Sequence, residues 1–201
     1  MRLLKFLMFN RFVKMYLQSN FSLLEWNKRF KSLILEMWNI PVIFFPILII
    51  SMIPKIIFHN PNQANFELTN YLFLIPFNLM MVALINKDFF GGQSIVHRHL
   101  GYKVVEVKTN EEAGKLKCML RNVTAPLWII EVVFLLVNPK RRLGDIIAGT
   151  SLIEIEATDP ELILAEIKDA KFDYEAKLTL LISIIWSIIF TLLFDPNVRP
   201  W

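Results

Sequence analysis

Acids and bases recur inside or against the apolar stretches of this chain, at Arg29, Glu36, Arg98, Arg121, Glu131 and Asp145. An ionisable side chain at membrane depth costs roughly 2.5 to 3.5 kcal/mol on insertion scales, so each needs a partner or a water-filled path. If Glu36, Glu131 and Asp145 converge on one polar cavity at the inner membrane face, coupled acids with raised pKa values take protons at neutral pH. They can then exchange a cation for a proton. The plainer reading makes the same groups a clamp. Glu36 then pairs with Lys31 or another nearby base, and Asp145 anchors Arg98, Arg141 or Arg142.

Arg29 and Glu36 stand two helical turns apart and share one face of a helix reaching back to about Asn27, with Glu36 about 10 Å deeper. Arg121 and Glu131 lie roughly 80 degrees apart around a straight helix and need not meet. Glu131 bears the heaviest desolvation of the acids, so it points into the bundle.

Other chemistry is poorly supported. The single cysteine, Cys118, can form neither an internal disulfide nor a Cys-based zinc site. His97 and His99 would share a face of an extended segment as metal ligands do, but no third ligand is evident, and interfacial histidines meeting headgroups are expected. Leu143-Gly144-Asp145 lacks the second intramembrane aspartate an aspartyl protease needs. Gly91-Gly92 matches no phosphate loop and reads as a turn. No cofactor and no enzyme activity are expected.

The elements that must position these groups follow from composition. The chain has 201 residues, is 55% hydrophobic and has a mean hydropathy of +0.46, too apolar for a soluble domain that must cover its own surface. Its net charge of +4 gathers beside the apolar stretches, which favours anionic lipid headgroups over nucleic acid. Residues 1–27 carry Arg2, Lys5, Arg11 and Lys14 among apolar side chains. This predicts an interfacial amphipathic helix rather than a signal peptide.

Spans are predicted from about Ser32 to Phe58, Leu68 to Ile85 and Leu178 to Phe194, the first two as a hairpin joined by His59 to Glu67. The first, at roughly 40 Å, exceeds the hydrocarbon core and must tilt, kink or begin below it, with Pro41, Pro46 and Pro54 favouring kinks. Val123 to Val137 spans only roughly 22 Å, contains Pro126 and has bases at both ends, so it is read as re-entrant, with a fourth complete span as the alternative.

Tyr102 to Lys108 and Thr150 to Glu156 alternate with a period of two and predict a small cytosolic two-stranded β ribbon resting on the membrane-side helices. Asp159-Pro160-Glu161 starts an acidic cytosolic helix within residues 156–177. Thr179, Ser183, Ser187 and Thr191 form a stripe along the last span that suits helix packing in lipid. The fold expected is an all-α integral membrane protein with three transmembrane helices plus the re-entrant segment. Its parts are 1–27, the membrane domain 28–155, the acidic helix 156–177, and the last span with its tail, 178–201.

Three blocks carry a resemblance: Arg29 with Glu36; Lys87-Asp88-Phe89-Phe90-Gly91-Gly92-Gln93-Ser94 followed by Arg98-His99-Leu100-Gly101-Tyr102-Lys103-Val104-Val105; and Lys140-Arg141-Arg142-Leu143-Gly144-Asp145-Ile146-Ile147-Ala148-Gly149-Thr150. From about Lys28 to Ile155 the chain resembles the RDD family of bacterial membrane proteins, named for one arginine and two aspartates. In that pattern an aspartate follows the first arginine by seven residues, and a histidine precedes the second aspartate. Glu36 keeps the carboxylate on a longer arm, whereas Gly144 removes a group that titrates near neutral pH.

The resemblance implies a bacterial inner membrane protein concerned with transport of unidentified solutes, some members looking like cation/proton antiporters. The expected function is therefore cation- or proton-coupled transport, with the amino terminus cytosolic. So few spans would require a homo-oligomer. The alternative is a non-transporting accessory or assembly subunit of a larger membrane complex, with the Ser/Thr stripe binding the partner.

Overall fold

A mostly apolar run of 35 residues without a glycine forms one helix, α1 (Leu23–Ile57), which continues through Pro41, Pro46 and Pro54. At 1.5 Å per residue it is about 52 Å long, well beyond a hydrocarbon core of about 30 Å. The computed structural model describes residues 23–57, 64–138 and 141–194. Most of the expected N-terminal interfacial helix, most of the link between the first two spans, Lys140 and the tail with Arg199 lie outside the described residues.

Helix α2 (Ala64–Ile85) packs back along α1, with Met80, Met81 and Leu84 against Ile40, Phe44 and Leu48. A turn leads to the short α3 (Ile95–Leu100). Ser94 caps α3 by accepting the His97 N–H, and Gly101 ends it. Gly101 has φ +71°, and a Cβ there would stand 2.5 Å from the Ile155 carbonyl oxygen, so only glycine turns the chain here into β1 (Tyr102–Glu106).

β1 pairs antiparallel with β2 (Thr150–Glu154), Val104 opposite Leu152. The ribbon is thus present, its strands two residues shorter than expected at their C-terminal ends. It rests on α4 (Lys115–Asn122) through Val104, Ala113, Cys118 and Leu152.

The stretch expected to re-enter is the second half of a bent element. After α4, a 3-10 turn (Ala125–Leu127) carries Pro126 and leads into α5 (Trp128–Val137). Proline lacks the backbone donor that would continue α4, and the turn re-aims the chain there. Among the described residues three helices are long and apolar enough to cross a membrane, Asn27–Pro54, Lys115–Val137 and Tyr174–Leu193. The bent element joins that set, in keeping with the complete span weighed as the alternative to re-entry, and α2, with 22 residues, is the second arm of the hairpin with α1.

Helix α6 (Leu143–Ala148) precedes β2, and α7 (Leu162–Asp169) is the acidic helix, shorter than the segment expected to form it. Asp159, expected to cap this helix, instead accepts the Glu161 N–H in the turn before it, and Glu161 at the N-cap makes no side-chain cap. The last helix, α8 (Tyr174–Phe194), turns its polar stripe inward onto α2. Asn86 donates to Ser183 at 2.7 Å and Thr191 to Asn78 at 3.1 Å. The stripe reserved for a partner protein is thus spent inside the chain. Ile185, Ile189 and Leu193 of α8 are exposed instead, as are Ile43, Phe45 and Ile50 of α1.

Candidate functional site

On α1 the residues one helical turn apart, Ser32, Leu33 and Glu36, face inward while Leu35 and Trp38 face out. That places the Glu36 carboxylate against the turn following α2, where it meets three positive groups. Lys87 donates to its Oε2 at 2.7 Å, His97 Nε2 stands 2.7 Å from its Oε1, and Arg142 Nη1 lies 3.6 Å from Oε2. Ser94 Oγ, the cap of α3, also donates to Oε1 at 3.0 Å.

His97 reaches a second acid on its other side. Its Nδ1 lies 2.9 Å from Asp88 Oδ1, and the ring is wholly buried. Asp88 Oδ2 in turn accepts from Arg121 Nη1 at 3.1 Å and Asn122 Nδ2 at 2.9 Å. Arg121 then donates through Nε to Asp145 Oδ1 at 2.8 Å. Asp145 also takes the Arg142 backbone N–H and the Thr150 hydroxyl, fixing the start of α6. Glu131 hangs inward from α5, bonded to the Thr124 hydroxyl and the Gly144 N–H.

Arg142 is the shared cation. It donates to Asn122 Oδ1 at 2.7 Å and lies 3.8 Å from Glu131 and 3.9 Å from Asp145, distances of charge contact rather than hydrogen bonding. Four buried carboxylates, Glu36, Asp88, Glu131 and Asp145, thus face three bases in direct contact with them, Lys87, Arg121 and Arg142. The odd negative charge is cancelled when His97 is protonated. An imidazolium is also the only form that offers a proton to both acids. Its Nε2 contact with Glu36 is close in distance but poorly aligned as a hydrogen bond, so the attraction there is one of charge.

The electrostatics agree. Burial opposes the His97 charge, yet the Glu36 and Asp88 carboxylates outweigh it and raise its pKa above the ordinary value. Burial likewise opposes the Asp88 charge, and the Arg121 guanidinium and His97 outweigh it, holding its pKa well below the carboxylate range. At Lys87 burial prevails over Glu36 and lowers the pKa.

Glu36, Asp88 and His97 also bring donor atoms within 4.8 Å of one another. His97 turns one nitrogen to each acid, so a single ion could use only one of them, and Lys87, Arg121 and Arg142 already supply positive charge. The arrangement is that of a shared proton.

Of the residues expected at the site, Glu36, Arg121, Glu131 and Asp145 come together. Arg29 lies at the edge of the nest, in the wall of a small cavity with Glu36 and Asp145, and Arg98 stands aside. Arg29 donates to the Leu152 carbonyl at 2.8 Å with its guanidinium 4.5 Å above the Tyr102 ring, tying α1 to the ribbon. Arg98 pairs with Glu166 at 2.7 Å and holds α7, so Asp145 does not anchor it. Glu36 takes Lys87 rather than Lys31, and His97, expected at the headgroups, is the most central residue of the nest. Lys87, Asp88 and Arg142 complete it. The signal for His97 was the serine three residues before it, an N-cap that starts a helix where an extended segment was read.

Gly144 is explained by packing. A Cβ there would stand 1.8 Å from the Arg121 carbonyl oxygen, so α6 meets the end of α4 with no room for a histidine or even an alanine. No family model, curated protein or solved structure matches the chain.

Three cavities flank the nest. One of about 270 Å³ lies between α1, α2, α3 and α7, touching Glu36 and Lys87. Another of about 160 Å³ on the α5 side touches Lys87, Glu131 and Arg142. The third, about 20 Å³, has Arg29, Glu36, Arg142 and Asp145 in its walls.

Proposed function

We propose that this chain is a membrane transport protein that couples movement of a cation to a proton, and that His97 holds the proton. The observation that carries this reading is the buried imidazole between Glu36 and Asp88, whose protonation brings a nest of seven other charges to zero. Desolvating so many charges is costly, and apolar residues of similar volume would often be as stable, so a purely structural nest is an expensive choice. A group whose proton decides the balance of the whole nest has a use in exchange.

Kinship with the RDD type is part of the proposal. The three residues matched to that pattern, Arg29, Glu36 and Asp145, line one cavity. Gly144 lacks the imidazole of the pattern, and His97 supplies one from another element. The bases beside α3, α4 and α6 favour the cytosolic side of a bacterial inner membrane for the nest, with the amino terminus on that side. With three or four crossings per chain, a homo-oligomer would complete the pathway.

The test is reconstitution in liposomes with an entrapped pH dye. An imposed cation gradient should drive proton movement in the wild type, and Glu36→Gln should reduce it at least tenfold. The accessory reading is favoured by one feature, that each buried acid of the nest has a basic partner within the chain. It predicts no flux and a stable co-purifying partner.

A further inference from the structure

A cation that takes the place of a proton on His97 must reach a carboxylate that His97 also touches. Glu36 is that carboxylate, because it lines the cavity of about 270 Å³ and contacts the imidazole at 2.7 Å. Most of the remaining wall is apolar or aromatic, with Ile40, Phe89, Phe90 and Ile95 among it; of its polar members Lys87 and Ser94 are bonded to Glu36, and Asn39 and Asn86 complete them. A small metal ion binds where several oxygens converge at about 2.0 to 2.6 Å, whereas here one carboxylate and two amides stand in a mostly apolar wall. The cavity is also roughly ninefold larger than the roughly 30 Å³ share of one water.

A large, weakly hydrated cation has the matching needs: apolar walls for its substituents, aromatic faces for its charge and one acid to balance it. Phe89 and Phe90 meet edge to face at 5.1 Å, and the Phe89 ring already has the Lys115 ammonium 5.8 Å from its centre. The buried Asn86 Oδ1, which has no hydrogen-bond partner, belongs to another residue of this wall.

We infer that the cation exchanged for the His97 proton is an organic ammonium bearing aromatic or alkyl groups, bound in this cavity beside Glu36 and Phe90. The inference rests on the proton-coupled reading above and names its substrate class. The groups facing His97 fix the direction of exchange. Glu36 comes from α1, Lys87 and Asp88 from the turn after α2, and Tyr102 from β1 with its ring 6.2 Å away. Arg121 of α4 acts through Asp88, and Arg142 before α6 acts through Glu36. On α3 itself Arg98 is turned to Glu166, and His99 is exposed. A cation arriving beside Glu36 adds one positive charge to a balanced nest, and the His97 proton leaves to water. One charge enters and one departs.

The probe is benzyltrimethylammonium, which carries no exchangeable proton, titrated calorimetrically into the purified full chain in detergent. Saturable binding is expected, with close to one proton released per cation, read from buffers of different ionisation enthalpy. Phe90→Leu, which keeps the apolar bulk and removes the aromatic face, should weaken binding about tenfold at an unchanged thermal midpoint. Binding without proton release, or binding indifferent to Phe90→Leu, overturns the inference. Absence of binding in a protein that moves protons against sodium or potassium overturns the substrate class and leaves proton coupling standing. If no cation moves protons at all, both fall.

Discussion

His97 gives the nest a pH dependence of definite sign. Its pKa is raised in the folded chain, so the stability it contributes is complete below about pH 6.5 and is lost as pH rises through the raised value. Asp88 works the other way. Its pKa is lowered, so its contribution is complete above about pH 3.9 and is lost as pH falls through the lowered value. The thermal midpoint in detergent should therefore fall on the alkaline side of about 6.5, and His97→Gln should flatten that fall. An equal alkaline fall in the variant would show that the imidazole is not held charged. The comparison also separates His97 from Lys87, whose lowered pKa acts in the opposite direction. Glu36, Arg121, Glu131 and Asp145 were legible in the sequence because charge inside grease demands a reason. Lys87, Asp88 and His97 were not, because they follow a span in a polar segment where charge looks ordinary. Only the fold of α3 back over Glu36 buries them.

Among the elements, the contact of α4 with α6 is the tightest constraint on the nest. It delivers Arg121 and Asp145 to each other across 24 residues of chain. Gly144→Ala would drive a methyl group into the Arg121 carbonyl, and overpacking of this kind costs about 1 to 3 kcal/mol or more. The variant should melt several degrees lower, while Ile146→Ala on the exposed face should leave the midpoint nearly unchanged. Differential scanning fluorimetry decides it. The ribbon was legible from its period of two and the last helix from its apolar length. The bend between α4 and α5 was legible only as a conflict, a proline and an acid in a stretch too short to cross. Its resolution needed the preceding polar helix, whose buried Cys118, Met119 and Arg121 cannot be told from a solvated face by sequence.

At the scale of the molecule, three helices among the described residues could cross a membrane, and α2 packs between α1 and α8. The charges gather at one end of this bundle, where the turn after α2, the first turns of α1 and the bent element meet. Apolar helices long enough to cross a membrane were readable from composition, but the convergence on one nest was not, because it joins α1, the turn after α2, α3, the bent element and the start of α6. One side chain has a consequence for the whole assembly. Lys87 stands in the wall of the cavity on the α3 side and of the cavity on the α5 side, and it is bonded to Glu36 where the two approach. Lys87→Ala would remove that septum and leave two vestibules opening into each other past Glu36, held then by His97, Ser94 and Arg142 alone. Vesicles carrying this variant should dissipate a pH gradient with no solute added, an uncoupled leak the dye would report as collapse within the dead time of the wild-type trace.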